Sequence, residues 1–166
     1  YSKENPFQLL YVSTIEPYKH HHQVIDAVTM VRAEGFPVIL NLIGGASSSE
    51  LNRLIQKIAK VDPLGEFVQY LGFNTREELL LEYSKADIFI FASSCETFGQ
   101  ILLEGMAAGL PIACSYHRPM PDILGDAGVY FDPENTDSIA TSILKLIEST
   151  KLREKNAKMA FDQAQN

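Results

Sequence analysis

The sequence runs to 166 residues, 46% of them apolar. That is enough for one core and one ordinary domain, and too apolar for a disordered tail. Lysines and arginines number 14 against 21 aspartates and glutamates, a net charge of −7. This argues against non-specific binding to nucleic acid or anionic lipid, both of which need a cationic surface. The apolar run that ends at Ala92 falls far short of the roughly 20 residues of a membrane-spanning helix. No signal peptide is legible. A chain that opens on Tyr1 and enters a strand almost at once is expected to be a fragment of a longer protein. Cys95 and Cys114 form neither a CxxC pair nor a disulfide framework, which fits a reducing cytoplasm.

Short β-branched and aromatic runs alternate with helical patterns along the chain. Phe7 to Val12 reads as a strand, and Val24, Val28 and Val31 give a helix from about His21 to Glu34, ended by Gly35. Val38 to Ile43 is the second strand; Ser47 with Glu50 reads as a capping box opening a helix to about Ala59. Glu66 to Leu71 is the third strand, and Thr75 with Glu78 a second capping box, for a helix to about Lys85. Asp87 to Ala92 is apolar almost throughout, as a strand buried on both faces should be. A helix from Gly99 to Ala108 follows, stopped by Gly109 and Pro111; then come a strand at Ile112 to Cys114, a helical turn near Ile123 and a strand at Val129 to Phe131. Ile139, Ile143 and Leu146 mark the buried face of the next helix, and the stretch from Lys151 is predicted helical, polar and exposed. Repeated β-then-α units predict an α/β, doubly wound, parallel, Rossmann-like sheet that binds its ligand beyond the carboxyl ends of the strands.

The segment Ser93 to Pro111, SSCETFGQILLEGMAAGLP, lies at that edge. Free first-turn amides around Gly99, Gln100 and Ile101 would make an anion site. Glu104 lies about 7 Å further along the helix axis, the spacing between a diphosphate and the neighbouring sugar hydroxyls. Its carboxylate can accept from both hydroxyls of a vicinal diol.

With Glu96 before the Phe98-Gly99 pair and Glu104 opening Glu-Gly-Met-Ala-Ala-Gly-Leu-Pro, this segment resembles the E-x7-E motif of retaining glycosyltransferases of GT-B architecture, family four, in their C-terminal donor-binding half. The resemblance runs from Leu9 to about Glu148. It implies that Glu104 holds the nucleotide ribose, that Glu96 contacts the donor sugar beside the reacting carbon, and that the amides after Phe98 bind sugar and diphosphate. Lys19 matches the family's lysine against the leaving diphosphate. Thr14 stands where an arginine is common and supplies no charge, which leaves Arg118 as a helper. Gly44-Gly45 matches the glycine turn that approaches the donor, Gly72-Phe73 the position of the base, and Asp122 replaces the usual glutamate near the donor sugar.

His20, His21 and His22 point about 100° apart on a helix and cannot converge on one ion; they read as the start of a polar helix, and no metal site is expected. Cys95 reads as a small loop residue and Cys114 as core. No GxGxxG follows a strand and no P-loop signature is present, which disfavours nicotinamide-dependent dehydrogenases and P-loop enzymes. A glycoside hydrolase would need its carboxylates facing each other across a sugar, and one short segment carrying both Glu96 and Glu104 makes that unfavourable.

The expectation is therefore a hexosyltransferase half, needing no cofactor besides its nucleotide diphosphate sugar. Its partner would be an N-terminal acceptor domain of the same chain, through which any contact with the inner membrane face would run. It would serve cell-surface polysaccharide synthesis. The alternative is a non-catalytic sugar-nucleotide-binding module of the same fold.

Overall fold

The computed structural model describes residues 1–165. Six strands form one parallel sheet: β1 (Phe7–Val12), β2 (Val38–Ile43), β3 (Val68–Tyr70), β4 (Ile88–Phe91), β5 (Ile112–Ser115) and β6 (Gly128–Phe131). Their spatial order is β3-β2-β1-β4-β5-β6. The helices are α1 (His21–Ala33), α2 (Ser48–Val61), α3 (Arg76–Lys85), α4 (Gln100–Ala107), α5 (Met120–Leu124), α6 (Thr136–Glu148) and α7 (Thr150–Ala164). This is the expected doubly wound, Rossmann-like arrangement. The winding reverses between β1 and β4, which pair at Leu9 with Ile88 and Leu10 with Phe89. At such a reversal this architecture places its ligand crevice, beyond the carboxyl ends of the strands.

The central strands are buried because helices cover both faces; every residue of β4 and the last four of β1 are buried. Two boundaries depart from the sequence reading. The third strand begins at Val68 because the amides of Glu66 and Phe67, with that of Val68, donate to the Asp62 carboxylate at 2.8 Å each. Burial works to raise the Asp62 pKa, but these three donors hold it below the usual value. The Thr75–Glu78 box is complete in both directions. At Ser47 only half of it forms: the hydroxyl accepts from the Glu50 amide at 3.3 Å, while the Glu50 carboxylate takes Arg53 at 3.0 Å.

The C-terminal stretch is helical but not a free polar appendage. Asn156 and Ala160 are buried, and α7 packs on α4 and β5. Arg153 caps α6 through the carbonyls of Leu146 and Ile147 at 2.6 and 2.7 Å, and Gln163 Nε2 donates to the Ile123 carbonyl at 2.6 Å. The apolar side of α4 needs this cover, and α7 supplies it with Asn156 and Ala160 buried and with Leu152, Met159 and Ala164 packed against the core beside them.

Candidate functional site

The site is assembled where the winding reverses. After β1 the chain makes a 3-10 turn, Pro17–Lys19, whose last carbonyl accepts the Tyr11 hydroxyl at 2.7 Å. After β4, the Ser94 amide donates to the Tyr18 carbonyl at 2.9 Å. Across this tie Lys19 Nζ pairs with Glu96 Oε1. Only 8% of the lysine side chain and 17% of the glutamate side chain meet solvent, so the pair sits where water screens it weakly. The ammonium lies 5.2 Å from the Tyr18 ring centroid and 5.9 Å from that of Phe91. An ammonium has three donors, so the bond to Glu96 leaves donors for an incoming anion.

The three histidines correct the expectation of a polar helix start. His22 is exposed, but His20 and His21 are buried. His20 takes the left-handed conformation at φ 53°, the one non-glycine to do so among the described residues. Its Nε2 lies 2.8 Å from Ser94 Oγ, a further bond between the β1 and β4 loops. His21 stacks on Tyr11 with centroids 4.8 Å apart, and its Nε2 lies 3.1 Å from Ser13 Oγ. Burial holds the His21 pKa down to about 3, with the neighbouring His22 and Lys19 charges adding to the effect. The rings fill the space beneath the β1 loop that a polar helix start would leave to water.

On the other wall, Phe98 is exposed and Gly99 is the left-handed N-cap of α4. Among the described residues, the amides of Gly99, Gln100 and Ile101 make no hydrogen bond and no side chain caps the helix, so these donors are free to meet an anion. The adjacent Gly105 lets α4 approach β4: a Cβ there would stand 2.5 Å from Phe89 Cδ1. That contact sets the height of Glu104, which lines a groove of about 670 Å³ between α3 and α4 together with Phe73, Leu79, Tyr83 and Gln100. Tyr83, which sequence reading did not single out, donates its hydroxyl to Glu104 Oε2 at 3.2 Å. Burial, then the Glu104 charge, pushes the Tyr83 phenol well above its ordinary pKa. A tyrosine one turn after Leu79 on a short helix signals only core packing in the sequence.

The remaining predicted residues divide. Phe73 is 83% exposed and forms a groove wall. Thr14 is exposed, at the same sheet edge as Lys19. Gly44 has a structural reason of its own: a Cβ there would sit 1.8 Å from the Ser13 carbonyl oxygen. Its amide donates to Gly72 and its carbonyl accepts from Tyr70, each at 2.8 Å, tying the loop after β2 to the end of β3. Gly45 accepts from the Ile15 amide at 2.8 Å and borders open space. Arg118 is exposed and meets Asp122 at 3.7 Å; Asp122 lies in the first turn of α5 and makes no capping bond. Cys95 is exposed in the loop and Cys114 is buried in β5. Among the described residues no group of three or more His, Cys, Asp or Glu could hold a metal ion, and no helix is long and apolar enough to cross a membrane.

A doubly wound parallel sheet with an ion pair at its switch point and a groove holding Glu104 beside it defines a Rossmann-like class of α/β domain. Residues 1–163 match the family model of glycosyl transferases group 1, and the chain belongs to that family. Over 148 residues, 87% of the chain, it is 31% identical to the O-antigen chain mannosyltransferase B of Escherichia coli. It spans 38% of that protein. The fold is shared with Anabaena Alr3699/HepE, crystallised with UDP and glucose, at a TM-score of 0.86 and 24% identity over 98% of this chain and 44% of that one. It is shared also with the C-terminal domain of a glycosyl transferase group 1 family protein (LpcC) from Francisella tularensis. There the TM-score is 0.83 and the identity 24%, over 98% of this chain and 87% of that one.

Proposed function

We propose that this chain is the donor-binding, C-terminal half of a retaining glycosyltransferase of family four. It would move a hexose from a nucleotide diphosphate sugar to a saccharide or lipid-linked acceptor in cell-surface polysaccharide synthesis. The observation that carries the reading is the meeting of Lys19 and Glu96 at the switch point, with Glu104 in the groove alongside. Family membership, the O-antigen mannosyltransferase relative and the UDP and glucose held by the Anabaena protein support it. So does the near-complete overlap with an isolated C-terminal domain.

In this reading the base lies against Phe73, the ribose hydroxyls donate to Glu104, and the diphosphate meets Lys19 and the amides of Gly99 to Ile101. The bond from the anomeric carbon to the phosphate oxygen breaks, leaving an oxocarbenium-like sugar and a diphosphate. Preorganised donors stabilise the charge on the diphosphate. Glu96, held by Lys19, orients the sugar. The acceptor hydroxyl attacks from the departing face and gives its proton to the leaving phosphate. The acceptor is bound by a further domain, so the 166-residue chain binds donor and transfers poorly by itself. Thr14 supplies no charge, and Lys19 carries the leaving group with the helix amides.

Calorimetric titration with UDP and GDP tests the reading. Glu104→Ala should lose about 1.5–3 kcal/mol, the value of one charge-assisted hydrogen bond. Unchanged affinity would refute the ribose assignment.

A further inference from the structure

The groove between α3 and α4 holds Glu104 by a contact that nothing in its own helix supplies. Its Oε2 accepts the Tyr83 hydroxyl at 3.2 Å, from a residue 21 positions earlier on α3. Among the described residues this is the one hydrogen bond that the carboxylate makes, so Oε1 keeps its full acceptor capacity. Tyr83 is itself fixed. It is 5% exposed, and its ring lies 5.7 Å from that of Phe89. Phe89 is the side chain on which Gly105, the residue next to Glu104, comes to rest. Tyr83, Phe89 and the Glu104–Gly105 pair thus form one closed unit across α3, β4 and α4. A glutamate side chain has three rotatable bonds, and immobilising a chain of that kind on a ligand costs affinity. Here the ordering is done before any ligand arrives.

We infer that Tyr83 is a positioning residue that pre-sets the Glu104 carboxylate with one oxygen anchored and the other presented to a vicinal diol, so that it selects nucleotides that carry the 2′,3′-diol over those that lack it. The inference rests on the proposed ribose role of Glu104. Tyr83 touches no ligand in this arrangement. Its hydroxyl also satisfies one carboxylate oxygen that would otherwise compete for water in a largely apolar groove.

The test is calorimetric titration of the 166-residue chain with UDP and GDP and with their 2′,3′-dideoxy counterparts. It uses wild type, Tyr83→Phe, Glu104→Ala and the double variant. The quantity read is the ratio of ribo to dideoxy affinity, in which any loss of folded protein cancels. Tyr83→Phe should lower that ratio about three- to tenfold, with dideoxy affinity unchanged, as expected for the loss of one ordering hydrogen bond. The double variant should lose no more than Glu104→Ala alone. A Tyr83→Phe ratio equal to wild type, with Glu104→Ala still collapsing it, overturns the positioning role and leaves the ribose reading intact. Equal weakening of both ligands by Tyr83→Phe makes Tyr83 a packing residue and overturns the inference. An unchanged ratio in Glu104→Ala refutes the ribose reading itself, and the inference falls with it.

Discussion

Lys19 and Glu96 stand 77 residues apart in the sequence and pair across the loops that leave two adjacent strands. Lys19 is held through the Tyr11 hydroxyl on its carbonyl, and the Glu96 loop is tied across to the Lys19 turn by the Ser94 amide on the Tyr18 carbonyl. Removing one charge strands the other in a weakly hydrated place. Lys19→Met is therefore expected to weaken a nucleoside diphosphate at least about tenfold, the equivalent of one charge-assisted bond, while the free nucleoside binds nearly as before. Equal weakening of both, measured by titration calorimetry, would defeat the phosphate role.

Tyr11 is fully buried, and its hydroxyl serves the Lys19 carbonyl at 2.7 Å. Tyr11→Phe leaves that acceptor with no partner in a place that water does not reach. The expected loss is about 1–3 kcal/mol of unfolding free energy, read from urea denaturation followed by circular dichroism. Nucleoside diphosphate affinity should fall with it, because the 3-10 turn that aims Lys19 loosens. Full stability in the variant would show that the carbonyl finds another donor.

Gly105→Ala places a methyl group 2.5 Å from the buried Phe89 ring. Overpacking of this kind costs about 1–3 kcal/mol. The shift of α4 also carries Glu104 away from Tyr83, so the variant should lose ribonucleotide affinity in excess of its stability loss at temperatures where it is folded. A variant as stable as wild type would mean that Phe89 turns aside without cost.

His21 makes stability depend on pH in a direction set by its burial. Its folded pKa is held at about 3 against 6.5 for the free side chain, so between those values the unfolded chain binds the extra proton. Stability is whole above pH 6.5 and is lost as the pH falls toward 3, with a slope of up to about 1.4 kcal/mol per pH unit from this one group. His20 is lowered in the same direction, chiefly by burial. His21→Asn should flatten the slope between pH 6.5 and 4.5 in denaturant titrations; an undiminished slope would assign the effect elsewhere.

The order of elements and the placing of Lys19 and Glu96 on the loops after two strands were legible from local pattern alone. Largely apolar runs such as Phe7–Val12 and Val38–Ile43 match the observed strands end to end, because a strand buried on both faces is apolar along most of its length. Thr75 with Glu78 announced the start of α3 because a reciprocal cap is made between residues three apart. Glu96, Glu104 and Lys19 were legible as a motif. Their partners were not: the pairing of Lys19 with Glu96, the hold of Tyr83 on Glu104 and the inward turn of His20 and His21 depend on which strands lie side by side. The burial of α7 against α4 has the same origin. Periodicity reports how one segment meets its surroundings; only the sheet order brings together side chains that the chain itself keeps tens of residues apart.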